Sequence, residues 1–343
     1  MEDIKNYTIQ KLQSVLEENE FAPFCAQQIF GWVYKRRIEN FDSMTDISQK
    51  ARSVLKGAFY FSNLKLAKRE VSCDGTEKFL FGLNDRNCIE TVLIPQQART
   101  TLCLSTQVGC KFGCVFCLSG KAGFRRNLTA SEIINQYLHV QGLIGACKIT
   151  NIVFMGIGEP LDNFFHTVNA VKIFTEPKGI HFGRRRICIS TCGLTPQIEK
   201  LEKLNLGVKL SISLHSPDNR IRSELVPINK KYPLQELIRA VKHFHKTQRY
   251  PVTFEYALIG GLNTKKEDAL ALAKLLKGLK YKINLIPLNR MNSRFQVPSG
   301  VEIRDFQREL EKRGVFSTLR KSRGQDINAA CGQLRAYAGC KRG

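Results

Sequence analysis

The stretch GCKFGCVFC sets Cys110, Cys114 and Cys117 in a C-x3-C-x2-C run, three thiols in eight residues with no fourth close by. Cysteine binds metal as the thiolate. A structural zinc site takes four protein ligands in a closed tetrahedron, so this run is one short unless Cys147, Cys188 or Cys192 completes it. An iron–sulfur cluster is the other chemistry. Its irons are held by Cys thiolates, and an iron left without a protein ligand stays open to a substrate or cofactor. The spacing alone leaves both readings standing.

Such thiols need a frame. From residue 100 onward, apolar β-rich runs alternate with amphipathic helical segments: TLCLSTQ, NIVFMG, RRICIST, VKLSISL, VTFEYAL, KINLIPL and VFSTLR are strand candidates. Between them, ASEIINQYLHVQGLI, PLQELIRAVKHFHK and KKEDALALAKLLKGL carry apolar residues at three- and four-residue spacing. Repeated βα units predict an α/β fold, a partial (βα)6-type barrel around a parallel sheet. The chemically unusual residues follow those strands: the Cys run, GEP at 158–160, STCG at 190–193, HSP at 215–217 and LN at 288–289. Loops at the strand C-terminal ends build the active sites of βα barrels, so the pattern is that of an enzyme.

The opening segment differs. NYTIQKLQSVLEEN, FCAQQIFGWVYKRRI and ISQKARSVLKGAFY read as short amphipathic helices, with DGTEKFLFGL as a hairpin ahead of the core. The expected organisation is a small, mainly helical N-terminal domain over 1–85, a barrel core over 86–320 and a C-terminal segment over 321–343. Trp32 is expected in the core of the first of these.

Lys and Arg number 53 against 30 Asp and Glu, a net charge of +23. A field of that sign concentrates polyanions, which makes nucleic acid the leading partner class. The basic clusters KRR (35–37), RR (125–126), GRRR (183–186) and KSRG (321–324) are spread through the folded pattern. Twelve cysteines without a secretory leader point to metal or redox chemistry rather than a disulfide framework. The start MEDIKNYTIQ and the lack of a long uncharged apolar stretch predict a cytoplasmic protein with no membrane partner.

The C-x3-C-x2-C run resembles that of the radical S-adenosylmethionine (SAM) enzymes. The resemblance implies that Cys110, Cys114 and Cys117 hold a [4Fe-4S] cluster whose free iron chelates the amino and carboxylate groups of SAM. An electron from the cluster then cleaves the sulfonium C–S bond and releases a 5'-deoxyadenosyl radical. By the same resemblance, Gly158 and Glu159 in MGIGEP meet the cofactor's amino group, and Ser190, Ser213, Leu214, His215 and Asn289 make further cofactor contacts.

Four more segments narrow the likeness. IETVLIP (89–95), LCLSTQVGCKFGCVFC (102–117), SLHSP (213–217) and RGQDINAACGQL (323–334) together resemble the RlmN and Cfr family of RNA adenine methyltransferases over nearly the whole chain. Carbons 2 and 8 of adenine are electron-poor and do not attack a methyl cation equivalent, whereas a carbon radical adds to them. The resemblance implies that Cys331 accepts a methyl group from one SAM, its thiolate acting as nucleophile. A radical from a second SAM takes a hydrogen atom from that S-methyl group, and the methylene radical adds to the base. A base must then remove the ring proton, and a thiolate must attack the Cys331 sulfur, releasing product with a disulfide. Cys103 matches the family's resolving thiol and Glu90 its proton acceptor; which of the two takes the ring proton stays open.

GEP with Pro160 and RGQD before the terminal motif resemble the C2-methylating housekeeping branch, acting on 23S rRNA and on adenosine 37 of tRNA. C8 methylation, as in the resistance branch, is the alternative. The resemblance further implies a flavodoxin- or ferredoxin-like electron donor and a monomer. GIGEP stands where the family often has GMGEP, and Cys340 is an extra thiol near Cys331. Two other classes remain: a zinc-stabilised RNA-binding module and a radical enzyme with a non-RNA substrate.

Overall fold

The computed structural model describes residues 1–288 and 295–338. Asn289 and Cys340 lie outside the described residues.

The central sheet begins as an antiparallel meander of β1 (Lys65–Val71), β2 (Glu77–Gly82) and β3 (Asn87–Gln96). The β1–β2 turn closes through the Ser72 amide to the Thr76 carbonyl at 2.8 Å, with Gly75 at φ +81°. Strand β3 then pairs antiparallel with β4 (Arg99–Cys103).

From β4 the sheet turns parallel. β5 (Asn151–Phe154), β6 (Ile187–Thr191), β7 (Lys209–Ser213), β8 (Val252–Leu258), β9 (Tyr281–Pro287) and β10 (Ser317–Leu319) follow in chain order, each paired with the last. Six crossovers join these strands, and each carries at least one helix. Parallel strands need such crossovers because a tight turn cannot reverse the chain twice. The expected βα barrel is therefore present, open between β10 and the meander, since the order runs from β10 at one edge to β1 at the other.

Alternation along the meander decides what covers its two faces. Phe79, Phe81, Ile89 and Thr91 are fully buried on one face, with Thr91 Oγ1 and Gln136 Oε1 2.7 Å apart across to the helix Ala130–Leu143. Lys78, Glu90 and Val92 occupy the other face, where the C-terminal segment lies. That segment ends in β11 (Tyr337–Ala338), paired antiparallel with β3.

The first sixty residues form helices at Ile9–Glu17, Phe24–Phe30 and Gln49–Ala58, the first and third capped by Thr8 and Ser48. Side-chain capping of the free N–H groups is what starts these short helices where they start. Trp32 is buried, as expected, with its indole N–H on Asp46 and Arg36 stacked 3.7 Å from its ring.

Candidate active site

The Cys run sits on a loop leaving β4. Gly109 enters it at φ +79°, and a Cβ there would lie 1.7 Å from the Gly123 carbonyl oxygen, so the turn admits only glycine. The Cys110 amide donates to the Gly123 carbonyl at 3.0 Å, the Cys117 amide to the Cys114 carbonyl at 3.0 Å, and the Val115 amide to the Leu225 carbonyl at 3.1 Å. The three thiols thereby line one cavity at the C-terminal ends of the strands.

Burial pushes the Cys110 thiol up to about 12 and that of Cys114 well above its usual range. Thiols so placed ionise only against a cationic centre that takes up the charge. Among the described residues no three His, Cys, Asp or Glu side chains converge closely enough to grip one metal ion. Cys192 lines the same cavity and Cys188 a second one, whereas Cys147 is exposed. A set of thiols that share a wall without converging on a point fits a multi-iron cluster with separate corners, not a zinc ion.

Most of the residues expected around a cofactor are here. Gly158, Glu159, Ser190, Ser213 and His215 line the same cavity as the three thiols. A Cβ on Gly158 would come within 2.5 Å of Gln107, and one on Gly156 within 2.7 Å of the Leu104 backbone, so both glycines let the β5 loop pass close to the β4 loop. Glu159 accepts from the Leu161 and Cys192 amides at 3.0 and 2.8 Å. His215 accepts the Ala257 amide on Nδ1 at 2.9 Å, which leaves its proton on Nε2. Burial, with the nearby Arg222 charge, pulls its pKa down to about 3, so the ring stays neutral. Leu214 is buried and does not line the cavity.

A second cavity lies deeper, lined by Thr101, Asn151, Cys188, Thr253, Asn284 and Thr318 from the earlier positions of the strands, together with Cys103. Met155, Glu255, Ile286, Arg320 and Cys331 line both cavities and so stand at the boundary between them. Cys331 is held there by the cluster loop itself: the Leu118 amide donates to the Gly332 carbonyl at 2.7 Å, and Ser119 Oγ to the Leu334 carbonyl at 2.8 Å. Cys103, the last residue of β4, packs with Val92, Ile157, Ala329 and Leu334, and burial raises its thiol to about 12. Both thiols are free.

Glu90 lines neither cavity. It is buried beneath the C-terminal segment, where one carboxylate oxygen meets Lys78 at 3.2 Å and the other accepts the Arg335 amide at 2.8 Å. Burial raises its pKa, while the Arg335 amide and Lys78 pull the other way.

Three site residues went unremarked in the sequence. Arg222, fully buried, donates to the carbonyls of Cys192, Ser213 and Leu214 and to Asn229 Oδ1, fixing the loops after β6 and β7. In DNRIRSEL it reads as one more exposed helix charge. Glu255 accepts from Ser211 Oγ at 2.8 Å and Asn284 at 3.1 Å inside the barrel; an acid in the alternating run VTFEYAL was the available signal. Arg320 faces Cys331, Glu255, Cys103 and Cys188, and the first of these does most to raise its pKa. No local pattern marks it.

A βα barrel with a three-thiol loop after its first parallel strand and a glycine-lined cavity beside it is the arrangement of a radical SAM enzyme. The radical SAM superfamily model matches residues 104–274, and the ribosomal RNA large subunit methyltransferase N-terminal domain model matches residues 2–60. The dual-specificity RNA methyltransferase RlmN of Pelobacter propionicus is 43% identical, covering 97% of this chain and 95% of its own. That of Syntrophobacter fumaroxidans is 42% identical over 98% of each. A radical SAM methyltransferase structure from Sphaerobacter thermophilus superposes with a TM-score of 0.90 at 41% identity, covering 98% of this chain and 99% of that one. The chain belongs to the RlmN family of radical SAM methyltransferases, whose cofactors are a [4Fe-4S] cluster and SAM.

Proposed function

We propose that the protein methylates carbon 2 of an adenosine in 23S rRNA, and of adenosine 37 in tRNA, through an S-methylated Cys331. The observation that carries this reading is the position of Cys331, in the walls of both cavities and tied at Gly332 to the residue after Cys117. One sulfur can then face a methyl donor on one side and an RNA base on the other.

Cys110, Cys114 and Cys117 would hold the cluster, and Gly158, Glu159, Ser190, Ser213 and His215 would surround SAM; the backbone of Leu214 would support that wall, and Asn289 completes the proposed set. Bound there, cluster and SAM supply a methyl group and a hydrogen-abstracting carbon radical. Cys331 takes the methyl group as its thiolate, with the Arg320 cation lining the same two cavities. After loss of one hydrogen atom, the S-bound carbon joins the adenine ring, and the adduct sheds its ring proton and one electron, which the oxidised cluster would take back. The Cys103 thiolate then attacks the Cys331 sulfur; the carbon–sulfur bond breaks with its electron pair on the carbon, which takes up a proton to complete the methyl group, and a disulfide remains. For the ring proton, Cys103 is favoured over Glu90, because Cys103 lines the cavity and Glu90 has both oxygens occupied.

The basic clusters support an RNA substrate. Arg99, Lys321 and Arg323 line the deeper cavity, and Arg99 continues into a cleft with Arg185, Arg186 and Lys209. Such a rim holds phosphates while a target base is drawn out of its stack. Arg126, by contrast, is paired with Asp85 and Glu132 and is taken up by the fold. Residues 1–85 are proposed as an accessory RNA-binding part, 86–320 as the catalytic core and 321–343 as the segment presenting Cys331. A monomer in the cytoplasm, reduced by a flavodoxin- or ferredoxin-like donor, completes the reading. No helix among the described residues is long and apolar enough to cross a membrane.

Anaerobic incubation of the reconstituted protein with SAM, a reductant and unmodified 23S rRNA or tRNA, followed by nucleoside mass spectrometry, tests this. A 2-methyladenosine product is expected. 8-Methyladenosine would move the protein to the other branch, and neither product from an intact cluster would refute the RNA assignment.

A further inference from the structure

Lys78 is a buried cation with no part in the chemistry above. Its side chain is 7% exposed and Nζ has three partners: the Ile327 carbonyl at 2.6 Å, and Glu70 and Glu90, both at 3.2 Å. The register explains the charges. Lys78 lies directly across from Glu70 on β1 and diagonally from Glu90 on β3, all on the face under the C-terminal segment. Ile327 lies four residues before Cys331, and Arg335, whose amide Glu90 holds at 2.8 Å, lies four residues after it. One ion pair therefore grips both ends of the loop that carries the thiol.

The turn between β1 and β2 extends the grip. Ser72 Oγ donates to Asp326 at 2.6 Å, and the Gly324 amide donates to Asp74 at 3.0 Å. A buried ion pair is a poor way to add stability, because desolvation offsets most of the attraction and apolar residues of equal size hold a core as well. What it supplies here is direction, a bond to one particular carbonyl and one particular amide.

We propose that Lys78 and Glu90 are a positioning pair that fixes the Cys331 loop at the boundary between the two cavities. The pair keeps the sulfur within reach of a methyl donor on one side and a base on the other. This rests on Cys331 being the methyl acceptor, and it gives Glu90 the work of holding the loop rather than taking a proton.

The test uses the full-length reconstituted protein with Lys78→Met, Lys78→Arg and Glu90→Gln. Amide hydrogen exchange over 327–335 is followed alongside transfer of one methyl group from SAM to Cys331, read by peptide mass without RNA. In Lys78→Met the loop amides should exchange faster and methyl transfer should slow by about a hundredfold, the scale of a displaced reacting group. The KM for SAM should hold, and Lys78→Arg should restore most of the rate. Glu90→Gln keeps the side-chain shape but leaves one acceptor oxygen for two donors, so Lys78 or the Arg335 amide loses its partner, and methyl transfer should slow. Wild-type exchange and methyl transfer in folded Lys78→Met would overturn the pair. So would a Glu90→Gln protein that methylates Cys331 normally and stalls only as an RNA adduct, since that is the behaviour of a missing base. If wild type never methylates Cys331, the functional reading fails, while the exchange data still decide whether the pair holds the loop.

Discussion

Cys110, Cys114 and Cys117 are delivered by one loop of chain, whereas Cys103 and Cys331 come from the first parallel strand and from the segment that follows the last. The loop is fixed mostly by near neighbours, through the Gly109 turn against Gly123 and the Cys110 and Cys117 amide hydrogen bonds, with the Val115 amide on Leu225 as its distant tie. The pair has no local logic. Cys331 reaches its place only because Lys78, Glu90, Ser72 and Asp74 hold the segment from the meander and Leu118 and Ser119 hold it from the cluster loop. A loop of thiols can be built from neighbours, while a thiol in the walls of two cavities has to be carried to the boundary between them.

Substitutions should separate the two regions. The largest effects are total. Cys114→Ser should abolish the visible absorbance of the cluster together with cofactor cleavage, whereas Cys331→Ala should keep the absorbance and lose all RNA methylation. Loss of the absorbance in Cys331→Ala would mean that the regions are not separable.

Cys103→Ala should leave Cys331 methylation intact and accumulate an RNA–protein adduct visible on a denaturing gel. In wild type, the Cys103 thiol is raised to about 12 by burial, so its thiolate grows with pH throughout the working range. Adduct release should accordingly quicken by about tenfold per pH unit from roughly pH 7 to 9, as expected for a thiolate nucleophile far below its pKa. A flat profile would assign the limiting step elsewhere.

Arg222→Leu probes the support behind the cluster cavity. It leaves three loop carbonyls and Asn229 without their donor, and thermal or denaturant unfolding should show a loss of about 4 kcal/mol or more, since each buried acceptor left unpaired costs about 1–3 kcal/mol. The smallest effect belongs to the rim of the deeper cavity. Lys321→Ala and Arg323→Ala should each weaken RNA binding evenly across sequences and reduce the salt slope of the binding constant by about one. An unchanged slope would place the phosphate backbone elsewhere.

Much of this was legible in the chain. The strand candidates from TLCLSTQ to VFSTLR correspond to β4 to β10, because buried parallel strands must be short apolar runs separated by amphipathic helices. The Cys spacing was legible because it lies within one loop; the glycines of GIGEP were legible as a backbone open to close approach, but that the β4 loop fills that space was not. Arg222, Glu255 and Lys78 were not: a charged residue on an amphipathic pattern reads as solvated, and only the packed neighbours reveal that its partners are interior carbonyls and carboxylates. Glu90 was picked out by its motif, but its partners could not be read from the chain, since they depend on which segment covers that face of the meander.

By itself, then, the sequence determined the alternation of strands and helices, the cluster loop and the excess of positive charge, since each follows from residue type and short-range spacing. The tertiary structure alone decided that Cys331 lies between the two cavities, that Lys78 and Glu90 secure its loop, and that two of the basic clusters gather beside the deeper one. Those outcomes depend on contacts between residues far apart in the chain, and such contacts are fixed by strand register and burial, which no local stretch encodes.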